Sequence, residues 1–301
     1  MRKVIVTGAT SFIGVHLINK LLQLDFEVYA VIRPNSKNEK RIKEHHNLRI
    51  IEVDICNTKD IVKFVSDDIY AFYHLAWEGA RAPYRDDKVM QEKNYQGAVE
   101  AFEVATKLNA VKFIGMGSQA EYGKFNGAVD ESYPCNPVTE YGKSKYAAYN
   151  ELFKLSEKSN IRFYWPRLFS AYGPYDYEKT LVMSCIDKMQ TNESIDMTEC
   201  IQNWDYIYVE DVVNALIRFL EVDCEKGAYN LASGNPRPLK AFVEELKDIL
   251  QSKSVINYGV IPYGKEGPVS FEPIVKKLEK ALDWKAENSF KEGIMKLMKG
   301  F

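Results

Sequence analysis

Residues 1–14 constrain the fold more than any other stretch of the chain. Val4 to Val6 form a short apolar run that is typical of a buried parallel strand. Gly8 follows at once, and from Phe12 onward apolar residues recur at helical spacing. A strand, a tight turn and a helix in this order present free backbone N–H groups and the positive end of a helix dipole to an anion. The stretch predicts a phosphate-binding turn, although a glycine after a strand can also serve only as a tight turn.

The composition limits the classes of function. The 301 residues, 46% of them hydrophobic, suffice for one large α/β domain or two small ones. The 40 basic and 42 acidic residues give a net charge of −2, which argues against a nucleic-acid partner. The apolar runs are too short for a membrane span, and a chain that starts in a strand predicts no targeting peptide. The five scattered cysteines fit a cytoplasmic protein and indicate no metal site.

The alternation of apolar strands and amphipathic helices predicts an α/β fold with a doubly wound parallel sheet of the Rossmann type. After the first strand, further strands are predicted over residues 27–32, 48–53, 71–74, 111–116 and 162–168, and helices over residues 59–65, 88–108 and 138–159. Beyond residue 173 the pattern is less regular. We therefore predict a dinucleotide-binding domain over residues 1–173 and a smaller lobe over residues 174–301. Some segments of the lobe, such as residues 203–230, are expected to pack back on the first domain.

The end of the second strand indicates which dinucleotide is bound. An acidic residue at this position would take the ribose hydroxyls of NAD, but the strand ends in Arg33, which can pair with a 2′-phosphate. We therefore expect NADP(H), with NAD as the alternative if Arg33 is only a solvated side chain. After the third strand, Asp54 and Ile55 could contact the adenine, or Asp54 could cap the next helix.

The central group of polar residues lies between Gly117 and Lys145. Ser118 follows the fifth strand, and Tyr141 and Lys145 are four residues apart, which places them on one face of a helix. A nearby ammonium lowers the pKa of a phenol by stabilising the phenolate, so Tyr141 could exchange a proton near neutral pH. Ser118 could donate to a substrate oxygen on which charge develops. The pattern indicates reduction or oxidation of a carbonyl group.

These segments together resemble the extended short-chain dehydrogenase/reductases that act on nucleotide sugars. The spacing Gly8-x-x-Ser11-x-x-Gly14 is similar to their Gly-x-x-Gly-x-x-Gly turn, with Ser11 in place of the middle glycine. Other motifs of the family extend over nearly the whole chain: His74-Leu-Ala76, Asn94-Tyr-Gln-Gly97, Arg167-Leu-Phe-Ser-Ala-Tyr-Gly173-Pro174, Trp204-Asp-Tyr-Ile-Tyr-Val-Glu-Asp211, Tyr229-Asn-Leu-Ala-Ser-Gly234 and Leu282-Asp-Trp284.

The resemblance implies a site and its ligands. Ser118, Tyr141 and Lys145 would be the catalytic set, and Lys145 would also hold the nicotinamide ribose. The dinucleotide would contact Gly8, Thr10, Ser11, Phe12, Ile13, Gly14, Leu75, Ala76 and Trp77. A nucleoside diphosphate sugar in the smaller lobe would contact Ser118, Gln119, Glu121, Tyr141, Ser170 and Trp204. A homodimer would form through the two long helices, although apolar residues there could equally pack on the sheet.

Departures from the family pattern narrow the reaction. Sugar-nucleotide 4,6-dehydratases carry an Asp-Glu pair where this chain has Gln119 and Ala120, which argues against a dehydratase. Ser170 and Trp204 replace an asparagine and an arginine, so two phosphate contacts are weakened, and Trp204 either stacks on the nucleoside or belongs to the core. We expect an NADPH-dependent reductase of a keto group, at C4, on a nucleoside diphosphate 4-keto-6-deoxy sugar. The alternatives are a 4-epimerase with tightly bound NAD and a non-catalytic dinucleotide-binding relative.

Overall fold

The structure is a computed structural model that describes residues 2–66, 68–263 and 268–300. The strands are β1 (Lys3–Thr7), β2 (Glu27–Ile32), β3 (Leu48–Glu52), β4 (Ala71–His74), β5 (Lys112–Gly115), β6 (Gly117–Ser118), β7 (Gly127–Val129), β8 (Arg162–Leu168), β9 (Ser170–Tyr172), β10 (Ile195–Asp196), β11 (Asn203–Trp204), β12 (Tyr206–Tyr208), β13 (Gly227–Leu231), β14 (Arg237–Pro238), β15 (Ile256–Asn257) and β16 (Phe271–Pro273). The α-helices are α1 (Phe12–Gln23), α2 (Lys88–Lys107), α3 (Glu140–Glu157), α4 (Leu181–Gln190), α5 (Val209–Glu221), α6 (Leu239–Ile249), α7 (Lys276–Leu282) and α8 (Phe290–Lys299). Short 3-10 helices cover Glu39–Arg41, Ile55–Lys63, Tyr84–Asp86 and Gln119–Glu121.

The main sheet has the strand order β13-β8-β5-β4-β1-β2-β3, and β6 pairs with β8. Every pair of neighbouring strands in it is parallel. The prediction of a Rossmann-type doubly wound sheet is confirmed. Because β1 lies between β2 and β4, the strand order reverses beside β1. Open α/β sheets bind ligands at such a point, beyond the carboxyl ends of the strands.

Helices cover both faces of the main sheet, and the alternation of side chains along each strand supplies both cores. Val4 and Val6 of β1 face a cluster that includes the apolar stripes of α1 and α5, whereas Ile5 faces a cluster formed with α2 and α3. All three side chains are fully buried. Parallel sheets are covered in this way because βαβ crossovers place a helix on each face.

Two apolar side chains of α3 pack toward the main sheet. Ala148 and Leu152 are fully buried in the cluster beneath α2 and α3, whereas Ala147 is exposed. These two residues therefore stabilise the interior of the chain, which was the stated alternative to a contact between subunits.

One predicted helix differs in position and type. The segment expected to be helical over residues 59–65 is a 3-10 helix over Ile55–Lys63, with non-helical dihedral angles at Asn57. The carboxylate of Asp54 accepts the N–H of Cys56, so the turn begins earlier than the apolar spacing suggested.

The part of the chain beyond β8 contributes to two regions. One apolar cluster joins α4, α6 and α8, with Tyr172, Tyr208 and Phe242 among its buried side chains. The intervening α5 packs on the α1 face of the main sheet, and β13 pairs with β8 at its edge. No helix in the described part of the chain has both the length and the hydropathy that a bilayer crossing requires.

Candidate active site

The turn between β1 and α1 is shaped by close backbone contacts. Gly8 has a φ of +67°, and a Cβ there would lie 2.7 Å from the backbone nitrogen of Ala76. A side chain is therefore excluded by conformation and by space. Ser11 is the N-cap of α1, where its Oγ accepts the N–H of Gly14 at 3.1 Å. The N–H groups that follow Ser11 have no partner within the helix, so the turn suits a pyrophosphate.

A cavity of about 290 Å³ adjoins this turn and reaches the ends of β2 and β3. Arg33 lies on its wall and forms an ion pair with Glu78, with 2.6 Å between Nη1 and Oε1. Both side chains are at least half exposed, at 59% and 50%, so the pair can open for a ligand. Asp54 caps the segment that follows it, as the alternative prediction stated. Glu78 was not predicted, and its only sequence signal is an acidic residue directly after Trp77.

The structure brings most of the predicted cofactor residues to this cavity. Those on its wall are Gly8, Thr10, Ser11, Arg33, Asp54, Ile55, Leu75, Ala76 and Trp77. Phe12 and Ile13 line a second, larger cavity instead. Gly14 lies behind the turn, where a Cβ would meet the carbonyl oxygen of Gly8. A glycine at this position therefore lets α1 pack closely on the turn.

The second cavity, of about 670 Å³, contains the predicted catalytic residues. Ser118, Tyr141 and Lys145 all line it, and it shares Leu75 and Trp77 with the first cavity. The two cavities thus adjoin each other between the end of β2 and the end of β5. The tight turn at Gly8, the helix N-terminus and the adjoining cavities fit a dinucleotide followed by a second ligand.

Lys145 is buried, with 3% of its surface exposed. Its Nζ donates to the carbonyl oxygen of Met116 at 2.6 Å and lies 3.7 Å from the centroid of the Trp77 ring. Burial lowers the pKa of Lys145 from 10.5 to about 7, because the charged form is removed from water, and the negative charge of Glu121 acts in the opposite direction. The Lys145 ammonium therefore loses its proton within the pH range in which most enzymes are active.

Tyr141 is also buried, and its acidity depends on neighbours that the sequence did not indicate. Burial raises the pKa of Tyr141, whereas a hydrogen bond with Ser118 and the positive charges of Arg85 and Arg81 lower it. The Arg85 guanidinium carbon lies 5.1 Å from the centroid of the Tyr141 ring. Lys145 was expected to lower this pKa, but its Nζ is directed to Met116 and lies 6.0 Å from the ring centroid.

Arg81 and Arg85 lie on the segment that follows Trp77, and both line the larger cavity. Arg81 is held by an ion pair with Asp176, with 2.8 Å between Nη2 and Oδ1. The only signal in the sequence is the presence of two arginines shortly after the fourth strand, which is too common a pattern to indicate a site.

Glu121 occupies a different place from the one expected. It was predicted to contact substrate, but it is fully buried and absent from the wall of either cavity. Its Oε2 accepts from Nε of Arg167 at 2.8 Å, and its Oε1 accepts from the N–H of Ser118 at 2.8 Å and from Nε1 of Trp165 at 2.9 Å. A buried carboxylate needs such partners, and they hold Glu121 behind Ser118.

The other predicted substrate contacts line the larger cavity, namely Gln119, Ser170 and Trp204. Nε1 of Trp204 donates to Oγ of Ser170 at 2.8 Å, and the indole packs edge-on against Phe271 at 4.7 Å between ring centroids. The two residues that depart from the family pattern therefore contact each other. They form an uncharged part of the cavity wall.

Comparison with known proteins identifies the family. The sequence model of the NAD dependent epimerase/dehydratase family matches residues 4–232. The chain therefore belongs to the NAD dependent epimerase/dehydratase family, which confirms the resemblance described from its motifs.

Characterised relatives cover nearly the whole chain. The CDP-abequose synthase of Salmonella muenchen is 27% identical over 305 residues, which cover 99% of this chain and 97% of that protein. The human dTDP-D-glucose 4,6-dehydratase is 24% identical over 319 residues, covering 100% of this chain and 90% of that protein. Among solved structures, the UDP-glucose 4-epimerase of Thermotoga maritima with UDP-glucose has a TM-score of 0.87 and 22% identity, over 99% of this chain and 97% of that one. The chain is an enzyme of a family that acts on nucleotide sugars, and structures of similar fold contain NAD.

Proposed function

We propose that this chain is an NADPH-dependent reductase of the C4 keto group of a nucleoside diphosphate 4-keto-6-deoxy sugar. The observation that carries the proposal is the convergence of Ser118, Tyr141 and Lys145 on one cavity that continues into the cavity beside Arg33. Similarity to a CDP-abequose synthase over 99% of the chain supports a nucleotide-sugar substrate. The smaller lobe, which contributes Trp204 to the wall of the larger cavity, would bind that substrate together with Ser170 of the first domain.

The side chains of the site can complete such a reduction. NADP(H), held along the β1–α1 turn with its 2′-phosphate at Arg33, would supply the hydride. Tyr141 would give a proton to the oxygen of the keto group, and Ser118 would hydrogen-bond the same oxygen as negative charge develops on it. The positive charges of Arg85 and Arg81 favour release of that proton because they lower the pKa of Tyr141 against the effect of burial. Lys145 would hold the nicotinamide ribose.

The residues after Ser118 argue against elimination of water. A dehydratase needs an acid and a base beside the sugar, whereas Gln119 is neutral and Ala120 is buried. Glu121 is the nearest carboxylate along the chain, and its two oxygens are engaged by Arg167, Trp165 and Ser118.

One observation favours a second candidate, a nucleotide-sugar 4-epimerase with tightly bound NAD. The carboxylate of Glu78 lies 2.6 Å from Arg33 in the cavity proposed for the adenosine end. An acidic group there could accept hydrogen bonds from the ribose hydroxyls of NAD. Consumption of cofactor separates the two candidates, because an epimerase turns over without added NADPH.

The test is a panel of 4-keto-6-deoxy sugar nucleotides that differ in their base, each mixed with the chain and NADPH. We expect one NADPH to be oxidised for each product formed, with the product identified by NMR. Conversion of a 4-hydroxy sugar nucleotide to its epimer without added cofactor would contradict the reductase and support the epimerase.

Tyr141→Phe is the matched variant, since it removes only the phenol oxygen. We expect turnover to fall by at least about 100-fold, because a general acid contributes that much. NADPH affinity, measured by fluorescence titration, should change less than about twofold, because the ring and its contacts with Trp77 remain. Turnover that survives this change would show that another group donates the proton.

We also propose that the chain is a homodimer formed through α2 and α3. The exposed residues of α3, such as Ala147, would meet their counterparts, while Ala148 and Leu152 remain in the interior. Sedimentation of the purified chain tests this, and a monomer at micromolar concentration would contradict it.

A further inference from the structure

The turn that carries Ser118 is closed from behind by a buried carboxylate. Oε1 of Glu121 accepts the backbone N–H of Ser118 at 2.8 Å, and Oγ of Ser118 accepts the N–H of Ala120 at 3.2 Å. These reciprocal bonds form a capping box around the 3-10 helix Gln119–Glu121. The same hydroxyl of Ser118 also forms a hydrogen bond with Tyr141, so the turn and the tyrosine together fix its position.

The carboxylate of Glu121 is surrounded by hydrogen-bond donors. Arg167 and Trp165, both on β8, donate to it at 2.8 and 2.9 Å. The side chains of Glu121 and Arg167 are 0% and 3% exposed, so the pair is fully withdrawn from water. Gly117 makes room for the pair, since a Cβ there would lie 2.9 Å from Oε1 of Glu121 and 2.5 Å from Nε1 of Trp165. Such a pair rarely increases stability over apolar residues of the same volume, so its presence here has a reason other than stability.

That reason is the position of the pair beside Lys145. Nζ of Lys145 lies 5.7 Å from the centroid of the Trp165 ring, whose N–H is bonded to Glu121. Trp165 thus lies near the buried ammonium and donates to the buried carboxylate, and the low polarity of this region strengthens the attraction between the two charges. Glu121 therefore opposes the effect of burial, which lowers the pKa of Lys145 to about 7.

The other groups that face Lys145 do not replace Glu121. His74, at the end of β4, is fully buried, and burial together with the charge of Lys145 lowers its pKa to about 3, so it is neutral at working pH. Tyr141, on the same helix, is uncharged below its raised pKa. Arg85 stacks on Tyr141 and carries the same sign of charge as Lys145.

We propose that Glu121 is a positioning residue of the catalytic site, which holds the Ser118 hydroxyl toward Tyr141 and keeps Lys145 charged in its buried position. The inference rests on the proposed function for the roles of Ser118 and Tyr141, but the charge of Lys145 can be measured without any substrate.

The test is a titration of Lys145 by NMR in protein labelled with carbon-13 at the lysine Cε, with the resonance identified by its loss in Lys145→Met. In the unsubstituted chain we expect a midpoint near the pKa of about 7. In Glu121→Gln, which keeps the shape but removes the charge, the midpoint should fall by roughly one pH unit. The basic limb of the pH profile of kcat should move in the same direction. In Glu121→Ala, which also removes the acceptor of the Ser118 N–H, kcat at its optimum should fall by about tenfold as Ser118 loses its position.

The matched control is Tyr73→Phe, on β4 in the cluster on the opposite face of the sheet. Tyr73 is fully buried, and its hydroxyl donates to the carbonyl oxygen of Leu216 at 2.9 Å, so its removal also breaks a buried hydrogen bond. We expect it to leave the Lys145 midpoint and kcat unchanged, which separates the role of Glu121 from a general loss of stability.

If Glu121→Gln does not fold because Arg167 loses its counter-charge, the double variant Glu121→Gln/Arg167→Met removes both charges and takes its place. In either folded variant, an unchanged Lys145 midpoint would overturn the proposal. The NMR measurement needs no substrate, so it tests this inference even if the chain reduces no sugar nucleotide. Absence of that reduction would contradict the proposed function and not this inference.

Discussion

Lys145 is expected to destabilise the folded chain, and Lys145→Met tests this. The pKa of Lys145 falls from 10.5 to about 7, chiefly because burial withdraws the ammonium from water. A difference of about 3.5 pH units corresponds to about 5 kcal/mol at 1.36 kcal/mol per unit. Loss of the bond from Nζ to Met116, which leaves a buried carbonyl oxygen without that donor, offsets roughly 1–3 kcal/mol. We therefore expect Lys145→Met to raise the free energy of unfolding at about pH 6 by roughly 2–4 kcal/mol.

The effect has a defined dependence on pH. The unfolded chain holds the proton of Lys145 more tightly than the folded chain, so the stability of the unsubstituted chain increases as pH rises from about 7 to 10.5. The advantage of the methionine variant should therefore be greatest below pH 7 and shrink toward pH 10.5. Equilibrium urea unfolding, followed by circular dichroism at about pH 6 and about pH 9, measures both quantities.

Lys143→Met is the matched control on the same helix. Lys143 is 51% exposed and pairs with Glu140 at 2.7 Å, so its removal should change stability by less than about 1 kcal/mol at either pH. A Lys145→Met variant that is less stable than the unsubstituted chain at about pH 6, or one whose difference does not vary with pH, would refute the reasoning.

Two further substitutions test the ends of the site. Arg33→Glu should shift the preference from NADPH toward NADH by at least about tenfold in kcat/KM, because it removes the charge that pairs with the 2′-phosphate. Arg33→Ala should weaken the binding of NADPH but not that of NADH. An unchanged ratio of the two kcat/KM values in both variants would contradict the pairing of Arg33 with the 2′-phosphate. Arg85→Gln should lower kcat by roughly threefold to tenfold, because Tyr141 loses a positive charge beside its ring and becomes a weaker acid. Arg85→Lys, which keeps the charge, should retain most of the kcat. Equal losses of kcat in both variants would indicate that Arg85 acts through the packing of its side chain and not through its charge.

The class of fold could be predicted from local sequence patterns, which do not depend on tertiary contacts. The apolar runs and the glycine-bearing turn predicted β1, α1 and the parallel sheet, because strands covered on both faces must be apolar along their length. Spacing also brought Tyr141 and Lys145 to one face of α3, since residues four apart on a helix are neighbours. The structure places these residues in one cavity with Ser118, as the order of motifs implied.

The sequence could not predict the contacts of side chains whose partners are distant along the chain. Glu121 could have faced substrate, and only the proximity of β8 turns it toward Arg167 and Trp165. Likewise, the segment after β4 brings the positive charges of Arg85 and Arg81 to Tyr141, which spacing along α3 could not indicate. Neither outcome has a periodic signature along the chain.

The sequence by itself therefore determined the class of fold, the tight turn between β1 and α1 and the chemical groups of the candidate site, because each depends on residue type and short spacing. Only the tertiary structure decided what each buried charge contacts. The attraction between charges depends on their distance in space and on the water excluded from between them, and both are set by the packing of α3 against β6 and β8. This packing determines the contact between Glu121 and Arg167 and the lowered pKa of Lys145.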